Sequence, residues 1–262
     1  MEENIKNFLQ ETKFCDFSDE SIKNLADEIA KNCKDDREFS ISAFYWVRDN
    51  ILYTVGNWQK KASETLLEKK GTCTNKANLL VALLRYKKIP AGYGVMKVYG
   101  QRYFGPAIIP MLQGSVAKVS THIICCIYIS GKWMKVDPSA DNQLSDKTSY
   151  FNKPSELVEW GGETDAMEKI DPNHIFKIDF PVANIDEIMR KKPHNAKGAI
   201  LKVGNFYIDF LRSNTKKIES IKELEMLFKK WLREKHFIYF SMFYVVRFYR
   251  QIKLKMKNEK IS

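Results

Sequence analysis

The hydrophobic pattern of this chain changes period at Pro90, and that change limits the fold more than any other feature. Before it, apolar residues return at helical spacing; after it, β-branched and aromatic residues gather in short runs. Over residues 73–86, Ala77, Leu80, Val81 and Leu84 form one stripe, and Arg85, Lys87 and Lys88 suit the negative end of a helix. Pro90 stops the pattern. Residues 93–99, 121–129 and 132–136 then read as strands, with Ser130-Gly131 as a hairpin turn. Upstream, residues 18–33 read as a helix capped by Ser18, and residues 36–53 as a second with Phe39, Ala43, Phe44, Val47 and Ile51 on one face. A short helical turn is expected over 63–69. Helices are thus followed by hairpin-linked strands.

The rest of the chain adds a basic extension. With 262 residues, 44% of them apolar and no low-complexity tract, a sizeable core is expected rather than disorder or a repeat array. No apolar run approaches the ~20 residues of a membrane span, and the start MEENIKNFLQ does not resemble a signal peptide, so the protein is expected in the cytoplasm. Beyond Pro138 the chain reads as loop-rich to about Ile200, with a short helix expected at Pro154-Ser155-Glu156. From Ile218 the pattern is helical, and residues 237–246, apolar nearly all round, read as a helix packed on the core or lying at an interface. Residues 229–262 hold ten bases and two acids, hence +8 of the formal +11. The expected division is a catalytic domain over 1–205 and a basic helical extension over 206–262.

Five cysteines, an odd number without a CxxC, argue against a disulfide framework or a zinc knuckle. Cys125 and Cys126 are neighbours on an expected strand and so face opposite sides. Cys73 differs from them. It follows Gly71-Thr72 at the start of the 73–86 helix, where free backbone N–H groups and the helix dipole favour a thiolate. It also falls on the core side of that helix, so a small buried hydrophobe is the competing reading.

A base and its orienter can come from the hairpin. With the turn at Ser130-Gly131, residues whose numbers sum to 261 face each other, which sets His122 diagonal to Asp137 on one face, about 7–8 Å apart. Such a carboxylate fixes the imidazole tautomer and stabilises the imidazolium. Taken singly, each residue also fits a half-buried strand histidine or an Asp-Pro turn. Asp141 is a reserve orienter; His174, His194 and His236 read as surface or packing residues.

The run Gly71-Thr72-Cys73, the Ala/Leu-rich helix ending LLRYKKIPAGY, the strand with His122 and the segment GKWMKVDPS with Trp133, Asp137 and Pro138 together resemble the transglutaminase-like cysteine enzymes. The lead-in FYWVRDNILYTVG is similar to the helix before that family's nucleophile, and the likeness covers about residues 40–141. It implies a papain-like α+β core, its nucleophile at a helix N-terminus packed on an antiparallel sheet, in which Cys73 attacks a carbonyl, His122 shuttles the proton and Asp137 orients His122. Thr74 and Ile123 depart from the pattern, standing where many members carry an aromatic residue. The Cys73 N–H is the natural first oxyanion donor, and the Trp58-Gln59 segment is the candidate for the second.

The expected reaction is acyl transfer through a thioester acyl-enzyme, with amide formation between an activated acyl donor and an amine in a small-molecule pathway as the leading reading. A peptidase or amidase is the alternative within the enzymes, and an inactive binding module the alternative outside them. No cofactor is called for, and no acidic calcium-binding cluster appears in the sequence. The basic tail would suit an acidic acyl carrier protein as partner. No nucleic-acid motif accompanies its aromatic residues.

Overall fold

The computed structural model describes residues 5–104, 108–144, 157–167, 171–191, 198–214 and 218–245. The N-terminal part is helical: α1 (Glu20–Ala30), α2 (Asp36–Asn50), α3 (Ala62–Glu68) and α4 (Cys73–Tyr86). Asp19 rather than Ser18 caps α1, its carboxylate accepting from the Ser21 N–H, and Asp35 caps α2 through the Glu38 N–H. An Asp oxygen serves an orphan N–H as well as a Ser oxygen does, which is why composition alone misplaces such ends by a residue or two. A two-stranded parallel ribbon, β1 (Leu52–Tyr53) with β2 (Lys70–Gly71), ties the end of α2 to the entry of α4.

After Pro90 come β3 (Ala91–Tyr99), the short helices α5 (Gly100–Tyr103) and α6 (Pro110–Gln113), then β4 (Val119–Ile129) and β5 (Lys132–Val136). Ser130 and Gly131 both have positive φ, 54° and 79°, the geometry of a tight hairpin turn whose twist matches the strands. The β4–β5 register is the expected one, with Ile129 opposite Lys132 and Cys125 opposite Val136.

The expectation of loop from Pro138 to about Ile200 is corrected. β6 (Ile175–Val182) pairs antiparallel with β3 and completes the sheet order β5-β4-β3-β6, and α7 (Asp186–Lys191) follows it. β6 is largely exposed and carries Pro181 near its end, so it lacks the buried alternation that marks a strand in sequence. The helix expected at Pro154 lies outside the described residues. Two further helices, α8 (Ala199–Ser213) and α9 (Ile221–Lys235), come before a helical stretch over 237–245. The expected boundary at 205/206 falls inside α8.

Two apolar clusters organise the molecule. The larger packs α1, α2 and α4 against the face of the sheet bearing Tyr93, Val95, Ile123, Cys125 and Ile127. The other joins α8 and α9 to Ile109, Met111, Leu112 and Leu144, so the C-terminal helices are seated on the loops around the sheet. In the 237–245 stretch Phe243 is buried, whereas Phe237, Ile238, Met242 and Val245 are exposed.

Candidate active site

Cys73 is the first residue of α4, and the turn before it is tightly built. Thr72 accepts from the Asn75 N–H through its hydroxyl, and the Asn75 side chain accepts from the Thr72 N–H at 2.9 Å, a reciprocal capping box. The same Asn75 amide donates to the Trp58 carbonyl at 2.8 Å. Gly71 is required by space: a Cβ there would lie 2.7 Å from the Asn75 Cβ and 3.2 Å from Thr65 Cγ2. These contacts fix the backbone from which the Cys73 sulfur projects, partly exposed, with Thr74 Oγ1 3.9 Å away.

His122 and Asp137 meet as the hairpin register requires. His122 Nε2 lies 2.7 Å from Asp137 Oδ2, both side chains buried, and Asp137 Oδ1 accepts from the Ser139 N–H at 3.0 Å. The backbone ladder ends at Cys125–Val136, after which Asp137 donates its N–H to the Ala166 carbonyl. The chain thus leaves the sheet at Asp137 while its side chain still turns back to the ring. The Tyr103 ring packs 5.5 Å from that of His122.

The three groups form one electrostatic unit. Burial disfavours the Cys73 thiolate, but the His122 charge, a hydrogen bond from its ring and the Ile123 N–H outweigh it and hold the thiol below its ordinary value. Burial likewise opposes the His122 imidazolium, yet the charges of Asp137 and Cys73 carry it well above its ordinary value. Asp137, against the cost of burial, is held low by the His122 charge and by hydrogen bonds from His122 and Ser139. All three shifts favour a thiolate–imidazolium–carboxylate array.

The reserve orienter plays another part. Asp141 bonds Arg212 of α8 at 2.5 Å and accepts the Tyr53 N–H at 2.8 Å and the Leu144 N–H at 3.0 Å, so it anchors the C-terminal helices, and His122 takes Asp137 instead. The Gln59 side-chain amide is also engaged, donating to the Met189 carbonyl at 2.5 Å. His174 lies 3.8 Å from Asp171 and His236 stacks on Phe206, while His194 lies outside the described residues. Trp133 of the quoted segment packs on Phe8, with ring centroids 4.5 Å apart.

Sequence reasoning missed Asn75, Ser139, Tyr103 and Lys76. A capping-box spacing from Thr72 could have disclosed Asn75. Lys76, fully buried one turn beyond Cys73, donates to the Arg48 and Ile51 carbonyls at the end of α2, and burial pushes its ammonium down to about 7. Among the described residues no group of three or more His, Cys, Asp or Glu side chains could hold a metal ion.

A thiol at a helix tip beside a buried His–Asp pair on adjoining strands is the arrangement of the cysteine enzymes. Residues 23–138, which contain all three side chains, match the model of the transglutaminase-like superfamily. Two solved structures are similar to this chain. The structure of "a Putative Cysteine Protease" from Cytophaga hutchinsonii is 23% identical over 52% of this chain and 42% of its own, with a TM-score of 0.41. That of "a putative protease" from Parabacteroides distasonis is 13% identical over 50% of this chain and 25% of its own, with a TM-score of 0.34. This chain therefore spans less than half the length of either solved structure that it matches. A comparison with curated proteins finds no match.

Proposed function

We propose that this protein is a cysteine acyltransferase in which Cys73 is the nucleophile, His122 the proton shuttle and Asp137 the orienter. The observation that carries the reading is the buried 2.7 Å contact from His122 Nε2 to Asp137 Oδ2, which commits one ring nitrogen and leaves Nδ1 without a conventional partner. That nitrogen is the one available to the Cys73 proton. In the first step the thiolate attacks the acyl carbonyl, a thioester to Cys73 forms, and the donor's leaving thiol or amine departs with the His122 proton. In the second, His122 removes a proton from an amine that attacks the thioester carbonyl. The amide leaves, and the thiolate and imidazolium are restored.

The acceptor alone separates this reaction from hydrolysis, since water in the second step yields the free acid. An amine acceptor with an activated thioester donor is the favoured reading, and the +8 tail suits an acidic acyl carrier protein as the donor's holder. The test is intact-protein mass spectrometry after mixing with an acyl thioester, followed by a diamine. Mass added at Cys73 and then discharged as amide supports transfer; discharge only as free acid makes the protein a hydrolase. If no mass is ever added, the nucleophile assignment is wrong.

A further inference from the structure

An apolar cavity of about 380 Å³ is lined by neighbours of the candidate site, and neither Cys73 nor His122 is itself among the lining residues. Tyr53, on one wall, is the strand partner of Gly71, two residues before Cys73. Ser120, on another, stands two residues before His122 in β4 and so on the same face of the sheet. Phe104 continues the wall, packed 4.8 Å from the Tyr103 ring that covers His122. Leu112 and Tyr207 also line it, so α6 and α8 contribute to its wall. Among the described residues no charged side chain lines it.

We infer that this cavity holds the hydrocarbon chain of the acyl donor, and that the substrate is a thioester of a medium-length aliphatic acid; the inference rests on the acyl-transfer reading above. The size suits a small-molecule site, and the chemistry of the lining decides the occupant. A cationic amine, a peptide backbone or a phosphate would lose its hydration there without a charged partner, whereas each methylene buried gains about fourfold in binding. A chain seated between Tyr53 and Ser120 has its carboxyl end toward the strands that carry Gly71 and His122. The step it precedes is the same: the carbonyl carbon gains the Cys73 sulfur, and the donor thiol leaves with the His122 proton.

Acetyl and octanoyl thioesters of N-acetylcysteamine, compared by the rate at which each adds mass to Cys73, test this directly. Octanoyl is expected to react about tenfold faster or more, from burial of its extra methylenes. Two variants narrow the cavity from different walls: Gly204→Leu, where a Cβ meets only Val55 Cγ2 at 3.3 Å, and Ala117→Phe. Each is expected to reduce the octanoyl-to-acetyl ratio about tenfold. Equal wild-type rates overturn the acyl-chain pocket and leave the proposed function standing. Should neither thioester label Cys73, the proposed function fails, and calorimetry of octanoate with Cys73→Ala then decides the cavity alone. Binding that Gly204→Leu weakens supports it, and no binding overturns it.

Discussion

His122 Nε2 and Asp137 Oδ2 lie 2.7 Å apart although the backbone ladder joining their strands has already ended, at Cys125 and Val136. The contact depends on a side chain reaching back from a departing strand, held by the Ser139 N–H. Asp137→Asn keeps the shape but removes the charge. Turnover is expected to fall about a hundred- to ten-thousandfold with a measurable remainder, while Cys73→Ala and His122→Ala abolish it. Single-turnover acylation kinetics on the three variants check this, and complete loss in Asp137→Asn would contradict the division of roles.

The same charges set the pH profile. Cys73 is held below the 9.0 of an ordinary thiol and His122 well above the 6.5 of an ordinary imidazole, so both shifts favour the reactive ion pair. Acid protonates the thiolate, so both alkylation and turnover fall. Alkali removes the imidazolium proton, so turnover falls while alkylation persists. In Asp137→Asn the alkaline limb moves to lower pH, since a charge that raises His122 is gone. Stability follows the same signs: the Asp137 contribution is present above 3.8 and lost as pH falls through its lowered folded value. The His122 contribution is present below 6.5 and lost as pH rises through its raised one.

Cys73 should be the cysteine that iodoacetamide modifies first near neutral pH. Burial pushes Cys15 and Cys126 up to about 12 and raises Cys125 well above its ordinary value, so their thiols stay protonated as well as enclosed. Peptide mapping after brief labelling reads the order. Preferential labelling of Cys125 would mean that the nucleophile had been misassigned, and Cys125→Ser should retain activity.

Gly71→Ala is expected to impair the site without touching a reactive group. Its Cβ would sit 2.7 Å from the Asn75 Cβ, so the turn that presents Cys73 must shift. A loss of about 1–3 kcal/mol in unfolding free energy is expected, with slower Cys73 alkylation in the folded protein. Denaturant titration and alkylation rate measure the two effects separately.

Arg212→Ala should be among the more destabilising changes. It leaves the buried Asp141 carboxylate without its cation, at a cost of about 3–5 kcal/mol. The Tyr53 carbonyl loses a donor as well. Denaturant unfolding gives the magnitude, and Cys73 alkylation in the remaining folded fraction should be little changed, because Asp141 anchors α8 and does not contact His122.

Much of the frame was legible because its signals are local. The α4 stripe, the stop at Pro90, the Ser130-Gly131 turn and the register summing to 261 each depend on residues close in sequence, and they reappear in the fold. β6 escaped because it is exposed and pairs with a strand 77 to 89 residues earlier. The part played by Asp141 escaped too, since its partner Arg212 comes from a helix folded back from the C-terminal region.

The sequence by itself determined the α+β order, the placement of Cys73 at a helix tip and the facing of His122 and Asp137, since backbone period and turn geometry dictate them. The pairing of Asp141 with Arg212, how burial and neighbouring charge tune the thiol, and the apolar cavity between β1, β4 and α8 were decided only by tertiary packing. Those properties belong to groups far apart along the chain, and their energies exist only once desolvation and contact have brought them together.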